Sequence, residues 1–372
     1  MSVKLQTLMQ IIETIAPKSL AEEWDNVGLI IGSPSKEINR ILITLDIDNN
    51  VVAEAINTSC DLIITHHPTI FKPLKAIRED LPSGKIITDL IRHDISVYAA
   101  HTNLDAATGG VNDVLAALLS LEDIKPLSAD KEEHLNKLVV YVPNTHLAVV
   151  RSAMGTAGAG SIGKYAQCFF AAPGQGTFLP LGGATPFVGS VGKVEEVQEW
   201  RLETIVTQKL LKKVISAMIK AHPYEEVAYD VIVLANEGEK KGIGRIGRLP
   251  SKMTLLALAE KVKLVLDIQN LKIAGEGHAE VSKVAVVGGS GSSYINLAAF
   301  KGAQCLITGD VKYHEAQDAL QRNICIIDAG HFETERPVLT SFSAKISKAL
   351  EDIGAGVEIV VSASQSTPFT YM

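Results

Sequence analysis

The sequence predicts an α/β protein in which two pseudo-repeated βαβ-type halves form one domain, interrupted by an inserted α+β domain. Three observations carry that prediction: strands and helices alternate in both outer segments, the pattern changes in the middle, and the outer segments repeat each other. The boundaries fall at 1–133 for the first half, 134–238 for the insert and 239–372 for the second half.

In the first half, Leu5, Leu8, Met9, Ile12 and Ile15 recur at helical spacing and predict an amphipathic helix over 4–16. EEWDNVGLIIG (22–32) leads into a strand, and RILITLDID (40–48) is a second. VVAEAINTSC (51–60) is a helix with one apolar face, DLIIT (61–65) a buried strand, IITDLIRHD (86–94) a helix and ISVYAA (95–100) a strand. Strands alternating with helices of this length give a mostly parallel sheet with crossovers.

In the insert, KLVVYVP (137–143) is a strand and 146–156 a helix, followed by the Gly- and Pro-rich stretch AAPGQGTFLPLGGATPFVG (171–189). VQEWRLETIV (197–206), a helix over 207–221 and the strand VAYDVIVL (227–234) complete the order of a ferredoxin-like α+β module. NEGEKKGIGRIGRLPS (236–251) is expected to be the return linker. The α/β pattern resumes with a helix near 253–264 and the strands KVAVVGG (283–289), CLIT (305–308) and ICIIDAG (324–330).

Composition bounds the function. With 47% apolar and 21% charged residues, the 372-residue chain can bury a full core and spans two or three domains. A net charge of -7 without long charge runs argues against a dedicated nucleic-acid partner. Cys60, Cys168, Cys305 and Cys325 are scattered with no close spacing, and Cys60, Cys305 and Cys325, within or beside apolar runs, are expected to be buried thiols in a reducing cytosol. The N-terminus mixes acidic and polar residues among its apolar ones, unlike a signal peptide, and no stretch approaches the ~20 apolar residues of a membrane span. The expectation is a cytoplasmic protein with no membrane partner.

The repeat locates the chemistry. DLIITHHP (61–68) matches CLITGDVKYH (305–314), and ISVYAAHTNLD (95–105) matches ICIIDAGHFETE (324–335). The second pair places His101 four residues before Asp105, and His331 four before Glu335. A pseudo-twofold would bring these loops together at the carboxyl ends of parallel strands, beside His66 and His67, where α/β sheets hold ligands. Imidazole and carboxylate donors suit zinc, iron, manganese, cobalt or nickel, and so many donors suit two ions. Each part alone has a plain structural explanation: a His-His pair with one ring exposed, or a helix-face pair at i,i+4.

The pieces EEWDNVGLIIG, LIITHHPTIF (62–71), VYAAHTNLDAATGGVND (97–113), LITGDVKYHEAQDA (306–319) and GHFETERP (330–337) closely resemble the Nif-three-like family of dinuclear-metal proteins, also named GTP cyclohydrolase 1 type 2 homologues. The resemblance implies that His66, His67, Asp105, His331 and Glu335 hold two divalent metal ions per chain, with Glu335 bridging. It places His101 at the edge of the site, as proton carrier or auxiliary ligand. It further implies a homohexameric ring and, for the longer bacterial form, a PII/CutA-like insert, with AHPYEEVAYDVIVL (221–234) as its last helix-to-strand segment. His222 then belongs to a His-Pro-Tyr turn, with a second metal site as the alternative.

Two ions acidify water and polarise a carbonyl or phosphoryl group, so hydrolysis of a small or nucleotide-like substrate is the expected reaction. Opening the GTP imidazole ring at C8 is the form of it that the family name implies. Gly288, Gly289 and Gly291 form either an anion-holding loop or a tight turn before a helix. Lys312 and His314 either line the substrate cavity, for a phosphate and a proton transfer, or sit on an exposed loop. Trp24, Asp25 and Asn26 position the first loop near the site, unless Trp24 is ordinary core. The competing functions are a metal-binding scaffold or metallochaperone, and a regulatory interaction protein.

Overall fold

A computed structural model describes residues 2–370. Residue contacts divide the chain into two compact units, Met1–Lys131 with Lys241–Met372, and Glu132–Lys240.

The larger unit contains two sheets. The first has the strand order Glu358–Val361, Arg40–Thr44, Leu62–Thr65, Ser96–Ala99, Gly28–Ile31. The first four are parallel, and Gly28–Ile31 runs antiparallel to its neighbour. The second has the order Lys272–Ala274, Cys325–Asp328, Cys305–Gly309, Glu280–Ser290, Arg245–Thr254, Glu122–Pro126. Its parallel centre is Glu280–Ser290, Cys305–Gly309 and Cys325–Asp328, and the other strands pair antiparallel. The first sheet is mostly parallel, as the alternation in the first half predicts, with four of its five strands parallel, and the second is a mixed sheet with a three-stranded parallel centre. Leu62–Thr65 and Cys305–Gly309 are buried at every position, which is what a strand covered on both faces requires.

Helices form where apolar residues recur at helical spacing, and some carry a side-chain cap. Leu5–Ile15 buries Leu5, Leu8 and Ile12 on one face. Asn49–Asn57 is capped by Asp48, which accepts the Val51 N–H at 2.8 Å. Leu255–Leu266 is capped in the same way by Thr254.

The expected return linker is corrected in part, because Arg245–Thr254 is a strand of the second sheet. Its ladder with Glu280–Ser290 shifts register between Arg248 and Met253, around Pro250, which has no N–H to donate. Arg245 is buried and bonds Asp113, and its guanidinium also donates to the carbonyls of Gly242, Gly244, Ala106 and Ala107. A buried cation is tolerable because its donors are satisfied in this way.

The smaller unit carries the strand order Phe169–Phe178, Glu195–Thr207, Leu135–Pro143, Tyr229–Val233, all antiparallel. With the helices Leu147–Thr156 and Gln208–Ala221 between strands, this is a ferredoxin-like order. The Gly- and Pro-rich stretch begins inside Phe169–Phe178, an edge strand, where a proline such as Pro173 is tolerated. His222 Nε2 donates to the Tyr141 carbonyl at 3.0 Å and Nδ1 accepts the Tyr224 N–H, so it braces the turn.

All four cysteines are free, with Cys60 and Cys305 buried. Among the described residues no helix is long and apolar enough to cross a membrane.

Candidate metal centre

His66 and His67 follow the strand Leu62–Thr65, His101 and Asp105 follow Ser96–Ala99, and His331 and Glu335 follow Cys325–Asp328. His101 precedes the short helix Thr102–Ala106, and His331 and Glu335 lie on its counterpart His331–Glu335. The two sheets thus present their ligands from equivalent strand ends.

Each imidazole is tethered through Nδ1. His66 Nδ1 lies 2.8 Å from the Ala100 carbonyl, which can only accept, so that nitrogen carries a proton and Nε2 is turned towards the site. His67 Nδ1 meets Asp46 at 2.9 Å, His101 Nδ1 meets Asp25 at 2.8 Å, and His331 Nδ1 meets Asp310 at 2.6 Å. Such partners orient a metal-binding imidazole and raise its basicity.

The Nε2 atoms converge on Glu335. Its Oε1 lies 3.6 Å from His66 Nε2 and 3.3 Å from His331 Nε2, and its Oε2 lies 3.1 Å from His67 Nε2. His66 Nε2 is also 3.6 Å from Asp105 Oδ1, and the Nε2 atoms of His67 and His331 are 3.3 Å apart. Donors sharing one ion through bonds of ~2.0–2.2 Å lie roughly 3 to 3.6 Å from one another. His66 Nε2, Asp105 Oδ1 and Glu335 Oε2 are buried with no well-formed hydrogen-bond partner. His66, His67 and His101 form one group able to hold an ion, and His67, His331 and Glu335 form another. The donor set and its orphaned atoms fit divalent cations.

The electrostatics agree. Burial disfavours charge on His67, yet bonds to Asp46 and Glu335 raise its pKa to about 10. The Glu335 hydrogen bond raises that of His331 to about 9 against burial. Burial opposes protonation of His66 too, but the charges of Glu335 and Asp105 win and its pKa rises. Burial pushes Asp105 up, whereas the surrounding imidazoles outweigh burial and hold Glu335 well below the usual range. Burial is outweighed at Asp25 by hydrogen bonds from His101 and Thr102, leaving it at about 2. Protons on these imidazoles supply the positive charge that the carboxylates demand.

Two expectations for this region are corrected. Gly288 and Gly289 belong to the strand Glu280–Ser290, and the amides of Gly288, Gly289 and Gly291 already donate to Asn112, Thr334 and Thr308. They have no free N–H to hold an anion. Gly289 instead makes room: at φ +63°, a Cβ there would lie 2.2 Å from Glu335 Oε1. Asn112 closes the site from behind by also donating to the Asp105 carbonyl at 3.0 Å.

A cavity of about 740 Å³ adjoins the cluster, lined by Asp46, His67, Asp310, His331, Lys272 and the segment 366–370 among others. Neither Lys312 nor His314 lines it. Lys312 borders a separate hollow of about 350 Å³, and exposed His314 contacts Gln317, so the cavity-lining expectation for both is corrected. Trp24 is exposed rather than core, with its ring 5.7 Å from Phe71 and 6.2 Å from His101 between centroids.

Sequence reasoning missed Asp46 and Asp310. Asp46 follows the strand Arg40–Thr44, and Asp310 occupies the repeat position of His67, so both carried the strand-end signal already used for the ligands.

A family model described as Duf34/NIF3 (NGG1p interacting factor 3) matches residues 3–368. A protein of Halalkalibacterium halodurans named "GTP cyclohydrolase 1 type 2 homolog" is 47% identical over 367 residues, covering 99% of this chain and 98% of that one. The protein of that name from Bacillus subtilis is 45% identical over 371 residues, covering 100% and 99%. The crystal structure of a Bacillus cereus protein related to NIF3 superposes with a TM-score of 0.95 at 44% identity, covering 100% and 99%.

Proposed function

The chain belongs to the Duf34/NIF3 family, and on that premise we propose that it is a hydrolase working with two divalent ions held by His66, His67, Asp105, His331 and Glu335. The observation that carries this reading is the set of buried atoms without a well-formed hydrogen bond, His66 Nε2, Asp105 Oδ1 and Glu335 Oε2, brought together from two sheets.

When bound, such ions supply Lewis acidity and bring the pKa of water towards ~7. The chain supplies the rest. Tethered at Nδ1, the imidazoles of His66, His67 and His331 hold Nε2 towards the site, where an ion would displace the protons that His67 and His331 carry. Glu335 faces all three Nε2 atoms and would hold an ion together with them. His101 is the proton carrier in this reading: Asp25 fixes Nδ1–H, leaving Nε2 to take a proton from the attacking water and return it to the leaving group. Substrate enters through the cavity lined by Asp46 and Asp310. GTP is the first substrate to test, because the relatives carry the cyclohydrolase name. The proposal includes a homohexameric ring and a PII/CutA-like insert; sedimentation equilibrium tests the ring.

The central experiment measures metal and turnover together. Wild type and Glu335→Ala are purified without chelator, their metal is quantified per chain, and both are assayed on GTP and a phosphoester panel. About two ions with turnover that disappears in the variant is the expected result. Two ions with no turnover on any substrate would favour a metal scaffold, and a metal-free wild type would sink the proposal.

A further inference from the structure

Within the unit Glu132–Lys240 lies a second cavity, of about 340 Å³, unrelated to the ligands described above. Its wall combines the rings of Phe178, Phe187 and Tyr224 with Leu179 and Pro186 and the carboxylate of Glu199. The Tyr224 ring centroid lies 6.4 Å from that of Phe178 and 6.0 Å from that of Phe187. The lining includes Glu199, Glu225 and Glu226 but no lysine or arginine among the described residues.

The cavity is built rather than incidental. Glu225 is engaged, accepting the Thr185 N–H at 2.8 Å and so pinning the loop that forms one wall. The same loop is closed by the Gly192 N–H donating to the Pro180 carbonyl at 2.8 Å. Gly176 leaves space for Glu199, since a Cβ at that position would lie 2.3 Å from Glu199 Oε2. Tyr224 Oη is sealed from solvent with no well-formed hydrogen-bond partner. Burial and the neighbouring Glu199 push its pKa up.

Aromatic faces attract cations, and a carboxylate in an apolar wall favours a positive charge more than it does in water. We propose that this cavity binds a small organic ammonium ion with an apolar body, the charge lying between the aromatic rings and Glu199. The proposal is independent of the metal centre. It assigns the inserted unit a ligand of its own, and rejects anions because every charge on the wall is negative.

Titration calorimetry on the full-length protein tests it, with benzyltrimethylammonium as probe, benzyl alcohol as the uncharged comparison and phenylacetate as the anion. Saturable binding of the ammonium ion, at least about tenfold weaker binding of the alcohol and no binding of phenylacetate are expected. Glu199→Gln keeps the shape and lowers ammonium affinity about tenfold, while Phe187→Leu keeps apolar volume and also weakens it. Circular dichroism and Tm of both variants confirm folding. Equal affinity for the alcohol, an unchanged Kd in folded Glu199→Gln, or no saturation by the ammonium ion overturns the proposal. So does probe binding that vanishes in Glu335→Ala, which would put the probe at the metal centre. A changed sedimentation coefficient in Glu199→Gln without probe binding would instead assign the cavity to a side chain of a second copy.

Discussion

His66 Nε2 and Asp105 Oδ1 face each other 3.6 Å apart, both buried and neither with a well-formed hydrogen-bond partner. The gap is too long for a hydrogen bond and matches the edge of a metal coordination polyhedron. Leaving two such atoms bare in a core costs several kcal/mol, so the pair states a demand for a cation.

Removal of metal should therefore destabilise the fold. At free metal near a hundred times Kd the stabilisation is about 2.7 kcal/mol, or roughly 5–10 °C in Tm for a unit of this size. Differential scanning calorimetry with and without chelator checks this. An identical Tm would mean that the buried donors are satisfied in some other way.

Metal uptake should release protons. In the metal-free chain His67 titrates at about 10 and His331 at about 9, both above the ordinary 6.5, so both carry protons at pH 7 that an ion must displace. Apparent affinity should rise with pH up to that range. The sign reverses for the metal-free fold: the stabilisation these ion pairs give is complete below 6.5 and is lost as pH rises through 9 to 10. Calorimetry in buffers of different ionisation enthalpy counts the protons, and a count of zero at pH 7 would contradict the assignment.

Asp310→Ala should weaken metal binding by about 10–100-fold through loss of the His331 tether, with the fold retained. Asp46→Ala should do the same through His67. Metal titration with a chromophoric competitor reads both. Wild-type affinity in both variants would remove the tethers from the argument.

Gly289→Ala forces a Cβ to within 2.2 Å of Glu335 Oε1 and 3.1 Å of His331 Nε2. The carboxylate must move, so bound metal should fall below wild type while circular dichroism stays native. Full metal content would show that Glu335 can shift without cost.

Asn112→Ala strands the Gly288 N–H and removes the bond to the Asp105 carbonyl. A loss of about 1–3 kcal/mol in urea unfolding is expected. A change within error would mean that water replaces the amide.

The sequence by itself determined the chemistry available and much of the secondary structure. Short apolar runs such as Leu62–Thr65 and Cys305–Gly309 are legible because a strand buried on both faces admits little else. The histidines and carboxylates that follow them are legible as donors from residue type, and the repeat indicated which strand ends correspond. Tertiary structure alone decided what those residues touch. GIGRIGRLP has no strand-like alternation, yet Arg245–Thr254 pairs with a strand some forty residues on and becomes one. The Gly289 amide has its partner in Thr334 and the His67 ring in Asp46, so glycines with free-looking amides became steric clearance and an ordinary aspartate became a tether. Residue type sets what a group can donate or accept. Which partner claims it depends on segments far apart in the chain, and only their packing in three dimensions fixes that.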